Sequence, residues 1–350
     1  VTAAAIRDPT APLRAVRAAR RRRSAAVLAG LAAVVVLLAG VGISLGDYTI
    51  AVPDLLAALL GQGSGGDTFV VTRLRLPRVL LGALVGAALG VSGAVFQAVL
   101  RNPIASPDII GVTTGASAAA VAGLLVFGLS GPALSGVAFG GALLVALAIY
   151  VLSRRGGVTG YRFALIGIAF AFLASSVLNF LLSRADIKDA QVALTWIVGS
   201  LSGTGWDSVT VLAGALAVLL PAAILLARPL GILQLGDDAA TSLGVRAERV
   251  RLALLIVAVA LAATATAATG PLAFVAFLAA PIARRIVTED RAMLAASALL
   301  GAGIVLAADI LGQHLLGGTL QVPAGIVTGA IGAPCLLWLL ASANRRGRSA

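Results

Sequence analysis

Histidine and cysteine each occur once in the 350 residues, as His314 and Cys335. That scarcity excludes a multi-histidine metal site, a thiolate cluster and a disulfide framework, each of which needs several ligands of one kind. Charge is scarce too: Asp, Glu, Lys and Arg make up 11% of the chain against 60% hydrophobic residues, where a soluble domain carries roughly 25% charged residues. Aromatics reach only 5%, and nowhere do they alternate with basic residues as a groove for single-stranded nucleic acid requires. The formal charge of +12 therefore does not point to nucleic acid. A G-x-x-x-x-G-K-[ST] phosphate loop is missing as well, so the chain has no such element with which to hydrolyse ATP itself.

What is present is apolar length. Hydrocarbon offers no water to unpaired peptide groups, so repeated apolar segments of about 20 residues must be helices or closed barrel strands, and these runs are too long for strands. Hydropathy, with Gly, Pro and charge as punctuation, predicts helices at 24–45, 79–99, 110–128, 132–152, 162–183, 207–227, 249–269, 272–287, 293–312 and 322–341. The fold class is all-α: a polytopic integral membrane protein of about ten transmembrane helices with short extramembrane helices. Pro271 and Pro281 interrupt 272–287, for which a tilted or half-buried helix is the alternative. Val52 to Leu60 and Gln191 to Gly205 are too short to cross and are expected at the outer face, where Trp196 and Trp206 read as interfacial anchors.

An even number of crossings puts both termini on one side. The basic residues then divide 21 inside against 5 outside, the outer five being Arg73, Arg75, Arg78, Arg184 and Lys188. Residues 1–23 read as a basic cytoplasmic tail, 24–341 as a single transmembrane domain with a cytoplasmic segment at 231–251, and 342–350 as a second cytoplasmic tail. The run from Ser24 to Leu45 exceeds the roughly 7–15 apolar residues of a secretory signal and is expected to remain as the first transmembrane helix.

Between Arg73 and Gly115 an apolar run carries Gly82, Gly86, Gly90 and Gly93, small residues whose spacing lets membrane helices approach closely. On the inside, Gly231 to Arg251 reads GILQLGDDAATSLGVRAERVR. Asp237 or Asp238 suits the positive end of a helix dipole, Gly244 suits a left-handed C-terminal cap, and Ala239 and Ala240 leave a smooth surface for a partner. An ordinary connecting helix explains the same residues. Asp309 is the main candidate for an intramembrane acid, with structural pairing favoured over proton relay.

The order of motifs carries a further signal. RLPR at Arg75 to Arg78, GALVGAALGVSGAVFQ, RNPIASPDIIGV, LGDDAATSLGV, GPLAFVAFLAAPIARRIV from Gly270, the Ala308-Asp309 pair and VPAGIVTGAIGAP from Val322 together resemble the FecCD-type permeases of ABC importers, which carry iron-siderophores, cobalamin or haem. The resemblance implies a subunit that binds no cofactor and pairs with a second permease subunit, identical or homologous. Two cytoplasmic ATPase subunits would hold ATP and Mg, and an extracytoplasmic binding protein would deliver the cargo. It further implies that Arg75 and Arg78 meet the binding protein. Gly236, Asp237, Asp238, Ala239, Ala240, Leu243 and Gly244 would couple to the ATPase, and Asn102, Ile104, Thr159 and Gly160 would form a cytoplasmic gate. The sequence departs from the family at Ala280-Pro281, where Pro-His is usual, at Gln313-His314, where an outward arginine is usual, and at Gln321, where an acid is usual. The PDIIGVTTGAS wording leans towards ferric-siderophore members, with cobalamin or haem as alternatives.

Two other classes compete. An ion-coupled secondary transporter normally needs ionisable groups near the midplane, and this chain has few. A membrane enzyme needs acids, bases or metal ligands converging at one depth, whereas the acidic residues here scatter through loops and mouths.

Overall fold

The computed structural model describes residues 11–46, 50–153, 160–287, 289–315 and 321–347. The described residues form helices and connections without strands: α1 Ala11–Ser44, α2 Val52–Leu59, α3 Gly65–Phe69, α4 Leu76–Val99, α5 Val112–Phe127, α6 Gly131–Ser153, α7 Gly160–Arg184, α8 Ile187–Val198, α9 Trp206–Leu233, α10 Asp237–Ser242, α11 Ala247–Thr269, α12 Val275–Ile286, α13 Asp290–Ile310 and α14 Ala324–Gly347. Two π-helical turns, Val70–Arg75 and Leu311–Leu315, flank α4 and α13.

Among the described residues seven helices are long and apolar enough to cross a bilayer: α4 together with its lead-in, and α1, α6, α7, α9, α11 and α13. Two shorter apolar helices, Val112–Phe127 and Ala324–Trp338, accompany them. The predicted crossing at 272–287 is α12, of 12 residues. At 1.5 Å per residue it is about 18 Å long, against a hydrocarbon core of about 30 Å. Helix α12 alone is therefore too short to cross, and non-helical backbone from Gly270 to Phe274, with φ of 75° and 65° at its ends, precedes it. Two other boundaries move. Helix α1 begins at Ala11, so Arg14 to Arg23 lie on the same helix as the first apolar run, and α14 runs on to Gly347. The outer-face segment predicted at Gln191 begins earlier, as α8 at Ile187, with Asp186 before it in extended conformation.

At the centre stands α4, buried almost continuously from Val79 to Val99 and packed against α9, α11, α12 and α13. Its glycines decide this. A Cβ at Gly86 would overlap the carbonyl of Gly301 in α13, one at Gly90 the carbonyl of Ser297, and one at Gly93 the carbonyl of Ala276 in α12. The contact is reciprocal, because a Cβ at Gly301 would strike the Gly86 carbonyl. Backbone-to-backbone approach of this kind is how membrane helices gain dispersion contacts where no hydrophobic effect drives them together. To one side α5 packs on α6 and α7, α1 lies along α13, and α14 contacts α12 and α13.

Candidate functional site: two polar mouths

At the N-terminal end of α4, where the π turn Val70–Arg75 runs into it, Pro77 has no N–H to donate back to that turn. The π turn ahead of it frees the Thr72 carbonyl, which accepts the indole N–H of Trp206 at 2.9 Å. Trp206 thus ties α9 to this rim as well as being 36% exposed. Arg75 donates through Nη1 to the carbonyls of Ile43 and Ser44, at 2.7 and 3.1 Å, and so completes the C-terminus of α1. Arg78 meets Asp309 of α13 with both arms of its fork, and Gln313 Nε2 donates to the same carboxylate at 2.6 Å. Both predicted docking arginines are therefore engaged within the chain, and Asp309 is paired, as structural use requires. Arg73 beside them is exposed.

The other mouth begins where α4 ends. Asn102 N–H bonds to the Gln97 carbonyl at 3.1 Å and Arg101 N–H to that of Ala98 at 3.4 Å, a Schellman closure. Its left-handed position, usually glycine, is Arg101 with φ of 49°. Asn102 Oδ1 accepts the N–H of Ile104 at 3.1 Å and shapes the turn before Pro103 and Ile104, both exposed, give way to buried Ala105, Ser106 and Pro107. Of the other predicted gate residues, Gly160 opens α7, whereas Thr159 lies outside the described residues.

Across from this turn sits α10, six residues after Gly236, whose φ is 117°. Gly244 takes the expected left-handed conformation with φ of 80°, and its N–H bonds to Thr241 while that of Val245 bonds to Ala240. The surface differs from expectation at one place. Ala240 is fully buried, because it faces the chain, and so it offers nothing to a partner; Asp237, Asp238, Thr241, Ser242 and Leu243 are the exposed members and Ala239 is half-buried. Leu235 and Leu243, 68% and 61% exposed, add apolar area that the sequence reading did not single out for Leu235.

Sequence reasoning also missed the ion pairs that join the two segments. Arg101 Nη2 donates to the Leu233 carbonyl at 2.6 Å and to Asp237 Oδ1 at 3.0 Å. Arg251 grips both oxygens of Asp237 at 2.8 and 2.9 Å and also reaches Glu248. The hydrogen bond from Arg251, with the charge of Arg101 behind it, holds the Asp237 carboxyl below the usual range. One turn inside, Gln97 is buried and bridges α4 to α12, donating to the Phe277 carbonyl at 3.1 Å and accepting from Arg284 at 3.0 Å. Asp108, in the loop before α5, has one carboxylate oxygen shut off from solvent with no hydrogen-bond partner. Burial pushes its pKa up to about 6, against the opposing pull of Thr113 and the Phe274 backbone. Among the described residues no group of His, Cys, Asp and Glu could hold a metal ion.

Comparison with known proteins agrees with this architecture. Residues 31–342 match the FecCD transport family. The ferric enterobactin transport system permease protein FepG of Escherichia coli is 40% identical over 305 residues, covering 87% of this chain and 92% of that protein. The achromobactin transport system permease protein CbrC of Dickeya dadantii is 42% identical, covering 89% and 90%. A cobalamin import system permease protein of Halobacterium salinarum is 34% identical over 77% of this chain and 73% of its own. Among solved structures, an inward-facing metal-chelate type ABC transporter superposes with a TM-score of 0.81 at 25% identity, over 90% of this chain and 99% of that one. With its membrane-spanning helices, glycine-packed centre and family match over most of its length, this multi-pass membrane protein belongs to the FecCD transport family.

Proposed function

We propose that this chain is the permease subunit of a binding-protein-dependent ABC importer that moves a ferric siderophore inward by ATP-driven alternating access. The observation that carries the reading is the α10 element: a short capped helix set between two spanning helices, exposing Asp238, Thr241 and Leu243 to a partner. In this reading α10 docks into a cytoplasmic ATPase, two of which supply the ATP and Mg that this chain does not hold. A second permease subunit, identical or homologous, completes the pathway, and the Asn102 and Ile104 turn, with Thr159 and Gly160, closes it on the inside. Both termini are cytoplasmic, as the distribution of arginine favours.

Docking of the binding protein at the Arg75 and Arg78 rim belongs to the same reading. Because both guanidiniums are bonded within the chain, they act by fixing the outer ends of α1, α4 and α13 against one another.

Ferric siderophore as cargo is favoured by the resemblance to permeases of enterobactin and achromobactin transport. The test is uptake of labelled iron, offered as a panel of siderophores beside labelled cobalamin and haem, in cells with and without this chain. Loss of one ferric chelate alone supports the reading, and loss of cobalamin alone transfers the cargo to the alternative that the Halobacterium relative represents. Unchanged uptake across the panel overturns it.

A further inference from the structure

The turn that closes α4 is built around a residue that local backbone chemistry disfavours. Left-handed conformation is strained for a residue with a Cβ and easy for glycine, and Arg101 holds it at φ 49°. The side chain so placed reaches across the cytoplasmic mouth. One nitrogen, Nη2, donates both to the carbonyl of Leu233, the last residue of α9, and to the carboxylate of Asp237, the first residue of α10. Gln234, Leu235 and Gly236 lie between these two acceptors, so Arg101 brackets the three-residue connection on which α10 would turn. Arg251, its side chain only 11% exposed, holds the same carboxylate from α11.

The ion pair alone does not explain the arrangement. The Arg101 and Asp237 side chains are 47% and 51% exposed, and an ion pair so open to solvent contributes little. What the pair does achieve is geometric. Asn102 and Ile104 follow Arg101 directly in the chain, so a displacement of α10 that carries Asp237 and Leu233 pulls on the residue from which the turn starts.

We infer that Arg101 is the positioning residue through which movement of α10 reaches the Asn102 to Ile104 turn, an inference that rests on α10 being the ATPase-docking element. Replacing Arg101 by glycine leaves the left-handed backbone relaxed while removing the link, which separates coupling from folding.

The test uses the complete importer, with its ATPases and binding protein, in proteoliposomes supplied with the ferric chelate that the uptake panel identifies. For Arg101→Gly the expected result is an unchanged or raised unfolding temperature, continued ATP hydrolysis, and roughly a 10-fold fall in siderophore moved per ATP, a typical size for coupling between sites. Arg101→Lys, which retains a donor cation, recovers most of that ratio. Asp237→Asn combined with Arg101→Gly is no worse than the more impaired single variant, as a shared interaction requires. A wild-type ratio in Arg101→Gly, or additive losses in the double variant, overturns the inference while leaving the importer standing. Failure of the wild-type assembly to hydrolyse ATP in response to loaded binding protein overturns the importer reading, and the inference with it.

Discussion

Arg78 and Asp309, 231 residues apart in sequence, face each other through two hydrogen bonds, Nε to Oδ2 at 3.0 Å and Nη2 to Oδ1 at 2.8 Å. The pair joins α4 and α13, two helices that also meet backbone to backbone at Gly86 and Gly301. Only 18% and 6% of the two side chains are exposed, so the charges depend on each other for solvation.

Removing one partner therefore strands the other. Asp309→Ala should destabilise the purified protein by about 3 kcal/mol, whereas Arg78→Met combined with Asp309→Leu should lose clearly less. Unfolding in detergent, followed for both variants, checks the order; a double variant less stable than Asp309→Ala contradicts a compensated pair.

Gly90 and Gly214 provide a matched contrast. A methyl group at Gly90 would overlap the Ser297 carbonyl, while nothing lies within 4 Å of the corresponding position at Gly214 in α9. Gly90→Ala should cost roughly 1–3 kcal/mol through overpacking. Gly214→Ala should be neutral or stabilise by roughly 0.5–1 kcal/mol, since alanine is the better helix former. Thermal unfolding of the two variants beside the parent protein measures both.

Asp108 predicts a pH dependence of stability. Its carboxyl is raised from 3.8 to about 6 in the folded chain, so the folded state binds the proton more tightly than the unfolded state does. The sign follows: the contribution of this group is fully present below the unfolded value, declines as pH rises through the window between the two values, and is lost above the folded one. Asp108→Asn should remove that decline and leave a flatter profile between pH 4 and about 6.5. Equal pH profiles for the two proteins would show that the carboxyl does not titrate in this window.

At the outer rim, Arg75→Glu should weaken binding-protein docking by disturbing the α1 terminus that its guanidinium completes. Such an effect persists at high salt, whereas loss of a steering charge fades with screening. Titrating the binding protein against the importer at low and high salt separates the two.

Much of this fold was legible because bilayers impose simple constraints. Long apolar runs, the clustering of arginine and the fourfold glycines identified the helices and the tight packing of α4 before any geometry was known. The short span of α12 was marked by Pro271 and Pro281 but not decided by them, since two prolines fit a kinked crossing as well as a half helix. Gly244 was readable because its conformation excludes most other residues, while the burial of Ala240 was not, because alanine suits either face of a helix. Least legible were the links between mouths and helices. Arg101 and Asp237 are 136 positions apart, and no periodicity connects them; only the folded arrangement brings a strained turn, a helix end and a carboxylate together.

The central claim is ATP-driven import, and reconstitution tests it most directly. Proteoliposomes holding this chain with its permease partner and ATPases, given loaded binding protein outside and ATP inside, should accumulate a ferric siderophore. They should stop when ATP is withheld or its hydrolysis blocked. Accumulation that continues without ATP and collapses with the ion gradient would contradict the account and make the chain a secondary transporter.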